Sequence, residues 1–380
     1  MFARSIRVVV LLCLLSSVIC LSPNSGFAGR HQGCHLSDQK KEMKILRLIK
    51  QKEKAVNEKK WKLYLHILNS GKPMYVQEQK RWFQDALKVM KPGSFHVQPV
   101  CFISLNENQV KVQLEQTYRS NGEFHRVSFP MLFENTKQGW KDSDLVFEHL
   151  GNQTITVYYT DASLRKLARL AFHSLRKGVE AFRHKYGWNA ERVEVKLYRD
   201  PDVFRESVKP SLPEWAAGWH EANQSIKFIA EKVDPAWFAS GMIHELTHQM
   251  ISELTNDNAA YWIQEGAAMY YEAHLLPDYH WVHSVPKRFQ PLSIAELENK
   301  RLERLPSDEA SRYYLSAYFQ FKHLVETYGE MKIKKMLETL KKSPYIDVDS
   351  DQKIERLNQL TNAALGQVLR LRHSDFIKNG

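Results

Sequence analysis

Residues 237–254, WFASGMIHELTHQMISEL, decide how the second half of this 380-residue chain is interpreted. Their apolar residues recur at helical spacing, at Phe238, Met242, Leu246, Met250 and Leu254. This pattern predicts a helix with one repeating apolar face. Within the helix, residues 244–248 read His-Glu-Leu-Thr-His, an H-E-x-x-H motif. Because residues four apart project from the same side of a helix, His244 and His248 can bind one metal ion together.

The remaining members of a zinc site can be placed from the same stretch. Glu245 lies about 100° round the helix from His244, which makes it a poor shared ligand but brings it within reach of a metal-activated water. A catalytic zinc site needs a third protein ligand. Glu265, in the segment WIQEG at 262–266, follows His248 by 17 positions, which leaves room for a turn and a returning helix. Gly266 would allow these two helices to approach closely.

The sequence therefore predicts one Zn²⁺ per chain, held by His244, His248 and Glu265, with Glu245 as the general base. Glu272 and His274 lie further along the second helix and are rival ligands. The plain alternative is a pair of surface histidines on an ordinary helix.

These motifs resemble the peptidase MA-like families of the gluzincin clan. The likeness rests on residues 244–248, on Trp262-x-x-Glu265-Gly266 and on a later helix that runs from Tyr313-Tyr314-Leu315-Ser316 to Tyr328-Gly329. It covers about residues 153–375. The resemblance implies a thermolysin-like domain, in which a small mixed sheet is followed by a mostly helical lobe. It also implies zinc-dependent hydrolysis of a peptide or protein substrate.

The resemblance further implies an edge strand along the cleft and a donor for the oxyanion. The edge strand would be Ser225–Ala230, to which an extended peptide could add. Tyr314 is the candidate donor and catalytic residue, with Tyr313 as the alternative. In thermolysin-like proteins an acidic residue one turn after the zinc glutamate orients a ligand histidine. Met269 occupies that position here, so the orienting partner is left unnamed.

The first part of the chain has a different pattern of apolar and polar residues. Helical patterns at about 37–68 and 76–90 precede four alternating stretches, at 95–105, 109–118, 123–134 and 140–150. Helices followed by an antiparallel meander imply an α+β domain. This region resembles the nuclear-transport-factor-2-like superfamily, through Trp61-Lys62-Leu63-Tyr64, Arg81-Trp82-Phe83 and Gly139-Trp140-Lys141. The resemblance implies a cone-like domain around a pocket.

The expected organisation is α+β with a signal peptide and two domains. Arg4 and Arg7 precede an apolar run that is short for a membrane span, and cleavage after Ala28 fits a small-residue site. The predicted divisions are 1–28 for the signal peptide, 29–151 for the first domain and 152–380 for the peptidase domain. An uncleaved N-terminal anchor is the alternative. Cys34 and Cys101 remain after cleavage, and whether they pair is left open.

In the second domain, strands are expected at 154–159, 192–198 and 218–230 and a long helix at 161–186. From about residue 235 the pattern is helical.

The formal charge of +11 suits a cell wall or an anionic membrane surface. No nucleic-acid-binding module stands out. The leading interpretation is a secreted zinc metallopeptidase on the extracellular side of the cell, of open oligomeric state. The alternatives are a catalytically silent binding or assembly protein at the cell surface and a metal hydrolase that acts on another bond.

Overall fold

The computed structural model describes residues 34–212, 216–221, 223–276, 285, 288–346 and 350–370. The signal peptide predicted at 1–28 lies outside these ranges and stays a prediction. Within them, helices and strands are both abundant, as the α+β class requires. No helix in the described ranges has both the length and the apolar character needed to cross a bilayer.

The first unit, residues 34–147, places three helices before an antiparallel meander. Its helices are α1 (Gln39–Asn57), α2 (Trp61–Ile67) and α3 (Pro73–Val89). Its strands, in spatial order, are β1 (His96–Asn106), β2 (Gln109–Ser120), β3 (Glu123–Thr136) and β4 (Gly139–Leu145). Strand β2 alternates strictly between buried and more exposed residues, so the helices cover one face of the sheet. A disulfide between Cys34 and Cys101 ties the start of this unit to β1.

The tight turn between β2 and β3 follows directly from the sequence. Asn121 and Gly122 both have positive φ, at 50° and 86°. A two-residue hairpin turn of this kind favours Asn-Gly, because glycine adopts positive φ without a steric penalty. The turn fixes the register in which Ser120 faces Glu123.

A second, mixed sheet follows. Its strands are β5 (Glu148–Gly151), β6 (Ile155–Tyr159), β7 (Val193–Tyr198), β8 (Gly218–Trp219) and β9 (Ile226–Ile229). Their order across the sheet is β5-β6-β7-β9-β8. The three central strands are parallel to one another, and the two outer strands are antiparallel to their neighbours.

Three predictions about this sheet were wrong. The stretch expected as one strand at 140–150 is divided between β4 and β5, which belong to different sheets. The stretch expected as one strand at 218–230 is the hairpin of β8 and β9. The expected edge strand, Ser225–Ala230, contains β9, which lies between two other strands, and the edge is β8. Ile226 and Phe228 of β9 are fully buried, as expected for a central strand.

The rest of the second half, where the structure describes it, is mainly helical. The helices in this half are α4 (Arg165–Tyr186), α5 (Pro201–Val208), α6 (Pro235–Thr255), α7 (Tyr261–Leu275), α8 (Ile294–Asn299), α9 (Ser307–Tyr328), α10 (Glu330–Leu340) and α11 (Ser350–Leu369). The main core lies where α4, α6, α7 and α9 pack together and against the sheet.

Strand β7 is buried on both faces and joins the two halves of the molecule. Val195 and Leu197 belong to the core of the helical lobe, whereas Lys196 and Tyr198 lie on the opposite face of the strand, towards the first unit. On the same side, Phe204 of α5 is fully buried in the core of the first unit. The predicted division between residues 151 and 152 falls in the β5–β6 hairpin and stays a prediction.

Candidate metal centre

Helix α6 carries the H-E-x-x-H motif, and its start is defined by capping. Asp234 accepts hydrogen bonds from the backbone nitrogens of Ala236 and Trp237, at 3.0 Å each. Pro235 occupies the first helical position, where its missing N–H costs nothing. The helix ends at Asn256, which adopts a left-handed conformation. Nearly every side chain from Phe238 to Ser252 is buried, so the motif lies in the interior of the lobe.

Small residues let neighbouring elements approach α6 and α7. A Cβ atom on Gly178 of α4 would lie 2.5 Å from a side-chain carbon of Leu246. The close approach predicted for Gly266 occurs, but its partner was misassigned. A Cβ atom there would lie 2.4 Å from the carbonyl oxygen of Ala317, which belongs to α9 rather than α6. Gly266 therefore fixes the depth at which Glu265 lies between α6 and α9.

Helices α6 and α7 bring together the three residues predicted as metal ligands. Oε2 of Glu265 lies 3.3 Å from Nε2 of His244 and 3.4 Å from Nε2 of His248. One donor atom from each of the three residues lies within 4.8 Å of the other two. Among the described residues, this is the one group of histidine, cysteine and acidic side chains with such spacing.

The donor set fits a zinc ion. Ligand atoms at about 2.0–2.2 Å from a tetrahedral zinc are separated from one another by roughly 3.3–3.6 Å, close to the separations seen here. Oε2 of Glu265 is buried and makes no hydrogen bond. A buried carboxylate oxygen without a donor is costly, and a cation would satisfy it. Burial favours the neutral form, but His248 and His244 lower the pKa of Glu265 to about 2, so the ligand is anionic.

Glu272 supplies the orienting contact that was left unnamed. Its carboxylate accepts a hydrogen bond from Nδ1 of His244 through Oε1, and a second one from Oγ of Ser240, at 3.0 Å, through Oε2. Because Nδ1 contacts Glu272, Nε2 is the ring nitrogen of His244 that faces Glu265 and would bind the metal. Glu272 is thus an orienting residue rather than a member of the ligand group. His274, the other rival, instead contacts the backbone oxygen of Tyr270 at 2.8 Å and stacks on its ring.

The position of Glu272 in the sequence, two helical turns after Glu265 rather than one, already pointed to this role. Glu272 follows Glu265 by seven residues, which is two turns, so both carboxylates lie on one face of α7. Met269, one turn after Glu265, is buried at 4% exposure and packs in the core.

Glu245, the predicted general base, lies beneath the edge strand β8. A Cβ atom on Gly218 would lie 2.7 Å from Oε1 of Glu245, so this position of the strand has room for no side chain. Burial raises the pKa of Glu245 above its ordinary value. A carboxylate with a raised pKa is better suited to accept and return a proton near neutral pH.

Of the two tyrosines considered as oxyanion donors, Tyr314 faces the site and Tyr313 does not. The ring of Tyr314 lies 6.3 Å from the ring of His244, on the side of α9 that faces the site. Burial raises the pKa of Tyr314, so its phenol keeps the proton it would donate. Tyr313 is 2% exposed and packs in the core of the lobe. Tyr314 is therefore the better candidate of the two.

His220 is a further residue near the site that sequence reasoning did not single out. It follows β8 directly, and its Nε2 atom is buried without a hydrogen-bond partner. Burial, with the nearby His248, lowers the pKa of His220 to about 3, so it is neutral. No sequence motif marks this position, because it depends on where the hairpin folds.

Comparison with known families locates a match around this site. A family model described as Peptidase MA superfamily matches residues 181–351, from the end of α4 to the start of α11. This range, somewhat under half of the chain, contains the three clustered side chains together with Glu245, Glu272 and Tyr314. Residues 181–351 are therefore a Peptidase MA superfamily domain. A comparison with curated proteins finds no match.

Proposed function

We propose, from the Peptidase MA superfamily domain at residues 181–351, that this protein is a secreted zinc-dependent peptidase. One observation carries the proposal. The buried, unpartnered Oε2 atom of Glu265 lies 3.3 Å and 3.4 Å from the Nε2 atoms of His244 and His248. This arrangement matches the ligand separations of a tetrahedral zinc site.

The roles of the side chains follow from their positions. A zinc ion held by His244, His248 and Glu265 would supply Lewis acidity, which activates water and polarises a carbonyl group. Glu245 accepts a proton from the attacking water and returns it to the departing amine. Tyr314 donates its phenolic proton in a hydrogen bond to the oxygen on which charge develops. Glu272 holds His244 in the orientation and tautomer that binding requires.

We place the peptide substrate along β8, in a thermolysin-like arrangement. Two features support this placement. Strand β8 is the edge of the sheet among the described strands, with β9 as its strand neighbour, and Gly218 lets the Glu245 carboxylate lie directly against this edge. An extended peptide that adds to such an edge is held by backbone hydrogen bonds and needs no particular side chain at most positions.

The remaining assignments have their own support. The disulfide between Cys34 and Cys101 favours an oxidising compartment, which agrees with a signal peptide at residues 1–28. The net charge of +11 favours a location beside a cell wall or an anionic membrane surface. Three helices followed by a four-stranded meander suit a nuclear-transport-factor-2-like first domain.

The proposal is tested with Glu245→Gln, which removes the base and leaves the three metal ligands intact. We expect purified Glu245→Gln to retain about one zinc per chain while hydrolysis of casein or a peptide library falls by at least about 10³-fold. Glu253→Gln is the matched control. Glu253 lies two turns further along α6 at an exposed position, so an amide there loses one of its two accepted hydrogen bonds, from Trp188 or Gln249, without touching the site.

Equal hydrolysis by wild type and Glu245→Gln would contradict this mechanism. If both are inert across broad substrates, the chain is a silent binding protein.

A further inference from the structure

Helix α3 of the first unit lies against the hairpin formed by β8 and β9. Glu78 and Arg81 are three residues apart on α3, so their side chains leave the same face of the helix. Both reach this hairpin, here defined as residues 218–221 and 223–229. The contact therefore joins the first unit to the edge of the second sheet.

Glu78 makes the densest set of contacts. Its Oε1 atom accepts hydrogen bonds from the backbone nitrogen of Ser225, at 3.0 Å, and from the hydroxyl of Ser225. The same oxygen lies 3.1 Å from Nζ of Lys227, and Oε2 lies 2.5 Å from Nζ of Lys196. All four residues are buried. Lysines 196 and 227 lower the pKa of Glu78 to about 2 against the opposing effect of burial, so the carboxylate is anionic.

Further contacts extend along the hairpin. Nε of Arg81 lies 3.4 Å from Oε2 of Glu221, at the turn. Glu221 in turn accepts a hydrogen bond from the side chain of Gln224, at 2.8 Å. Trp219 packs against the core of the first unit, and Nζ of Lys209 lies 4.2 Å from the centre of its ring. The hairpin is thus held at its turn and on its strands.

The position of this hairpin determines the shape of the cleft. Oε1 of Glu245 lies directly under Gly218, and β8 is held in the sheet by one neighbour, β9. A two-residue edge strand has few hydrogen bonds of its own. Its position therefore depends on what holds β9 and the turn. Strand β7 pairs with β9, and Glu78 and Arg81 of α3 hold the start of β9 and the turn.

We propose that the first unit forms a working part of the peptide-binding cleft, with Glu78 as the positioning residue that fixes the β8–β9 hairpin above Glu245. The inference deepens the proposed function and rests on it. The substrate class it implies is an extended peptide, since the fixed element is a strand edge that offers backbone groups.

Two variants and one matched control test the proposal in the full chain. Glu78→Gln removes the charge that binds both lysines, and Ser225→Ala removes one hydroxyl at the hairpin. Asp144→Asn is the control, because Asp144 also contacts Lys196 but does not touch the hairpin. All three act in one buried cluster, so the melting temperature of each variant is measured beside its KM to separate lost stability from a displaced hairpin.

We expect KM for a peptide substrate to rise about tenfold in Glu78→Gln and about threefold in Ser225→Ala, with kcat and zinc content nearly unchanged. Asp144→Asn should keep the wild-type KM. An unchanged KM in both hairpin variants, or an equal rise in the control, would overturn the proposal. If Glu78→Gln does not fold, Ser225→Ala decides alone.

Hydrogen–deuterium exchange separates this inference from the proposed function. If wild type hydrolyses no substrate, the proposed function has failed and no KM can be measured to test the hairpin. Exchange of the backbone amides in residues 217–229 should still be faster in Glu78→Gln and Ser225→Ala than in Asp144→Asn. Equal exchange in all three would show that Glu78 does not fix the hairpin.

Discussion

At the scale of single residues, the site consists of a small group of polar side chains in an apolar lobe. His244 and Glu245 are 4% and 5% exposed, and Glu265 contributes an unpartnered oxygen to the same interior. A buried carboxylate oxygen without a partner is costly, so this group of side chains is a candidate cation site. Glu272 extends this group outward through its contact with His244.

The orienting role of Glu272 can be measured apart from activity. In Glu272→Ala, Nδ1 of His244 loses its acceptor, and we expect zinc affinity to fall by about 10–100-fold because the imidazole is no longer held. His274→Ala is the control, since His274 was an equal rival by sequence but lies outside the ligand group. Competition with a chromogenic chelator measures both affinities. Equal affinity in wild type and Glu272→Ala would remove Glu272 from the site.

Much of the candidate site could be predicted at this scale because helical spacing fixes it. The four-residue spacing of His244 and His248 and the return of Glu265 on the next helix follow from the sequence. The position of His220 beside the site could not be predicted, nor could the fact that Tyr314 rather than Tyr313 faces it. Both depend on how β8 and α9 approach α6. Such contacts join residues that are distant in the chain.

At the scale of elements, α5 packs between the second sheet and the first unit. Glu206 of α5 accepts a hydrogen bond from the hydroxyl of Tyr118 of β2, at 2.8 Å. Nδ1 of His125 lies 3.6 Å away, Nε2 of Gln116 lies 3.5 Å away, and Asp202 of the same helix adds a like charge. Burial raises the pKa of Glu206 from 4.5 to about 7.

This shift predicts a pH dependence of stability with a definite sign. Between pH 4.5 and about 7 the folded protein keeps a proton that the unfolded chain has released. Stability contributed by Glu206 therefore falls as pH rises through this window. Glu206→Gln should be no more stable than wild type at pH 4.5 but more stable at pH 8, by up to about 3 kcal/mol.

Urea unfolding at several pH values measures the difference. Glu180→Gln, at an exposed position of α4, should show no such trend. A stability difference between Glu206→Gln and wild type that does not grow with pH would contradict the assignment.

The long helices and the meander were predicted from the sequence, whereas the pairing of the short strands was not. The long helices and the meander were anticipated because local periodicity reports them directly. The division between β4 and β5, and the placement of β8 outside β9, required knowledge of which strands pair. Strand pairing is set by contacts across the fold, so the two short strands β8 and β9 could not be told from one longer strand.

At the scale of the whole molecule, the two halves share buried contacts rather than a flexible linker. Lys196 of β7 contacts Glu78 and Asp144, both from the first unit. Replacing one partner in such a cluster leaves a buried charge uncompensated, which is strongly destabilising. The first unit and the Peptidase MA superfamily domain are therefore expected to unfold together. The sequence predicted two regions of different texture but gave no sign of the cluster, because its lysines and carboxylates are distant in the chain.

The central claim is that one divalent cation is bound between α6 and α7. The most direct measurement is an anomalous-difference map, recorded at the zinc absorption edge from crystals grown with zinc. We predict a single strong peak in this lobe, about 2.0–2.2 Å from Nε2 of His244, Nε2 of His248 and the carboxylate of Glu265. A zinc-containing crystal with no peak between these three side chains would contradict the account.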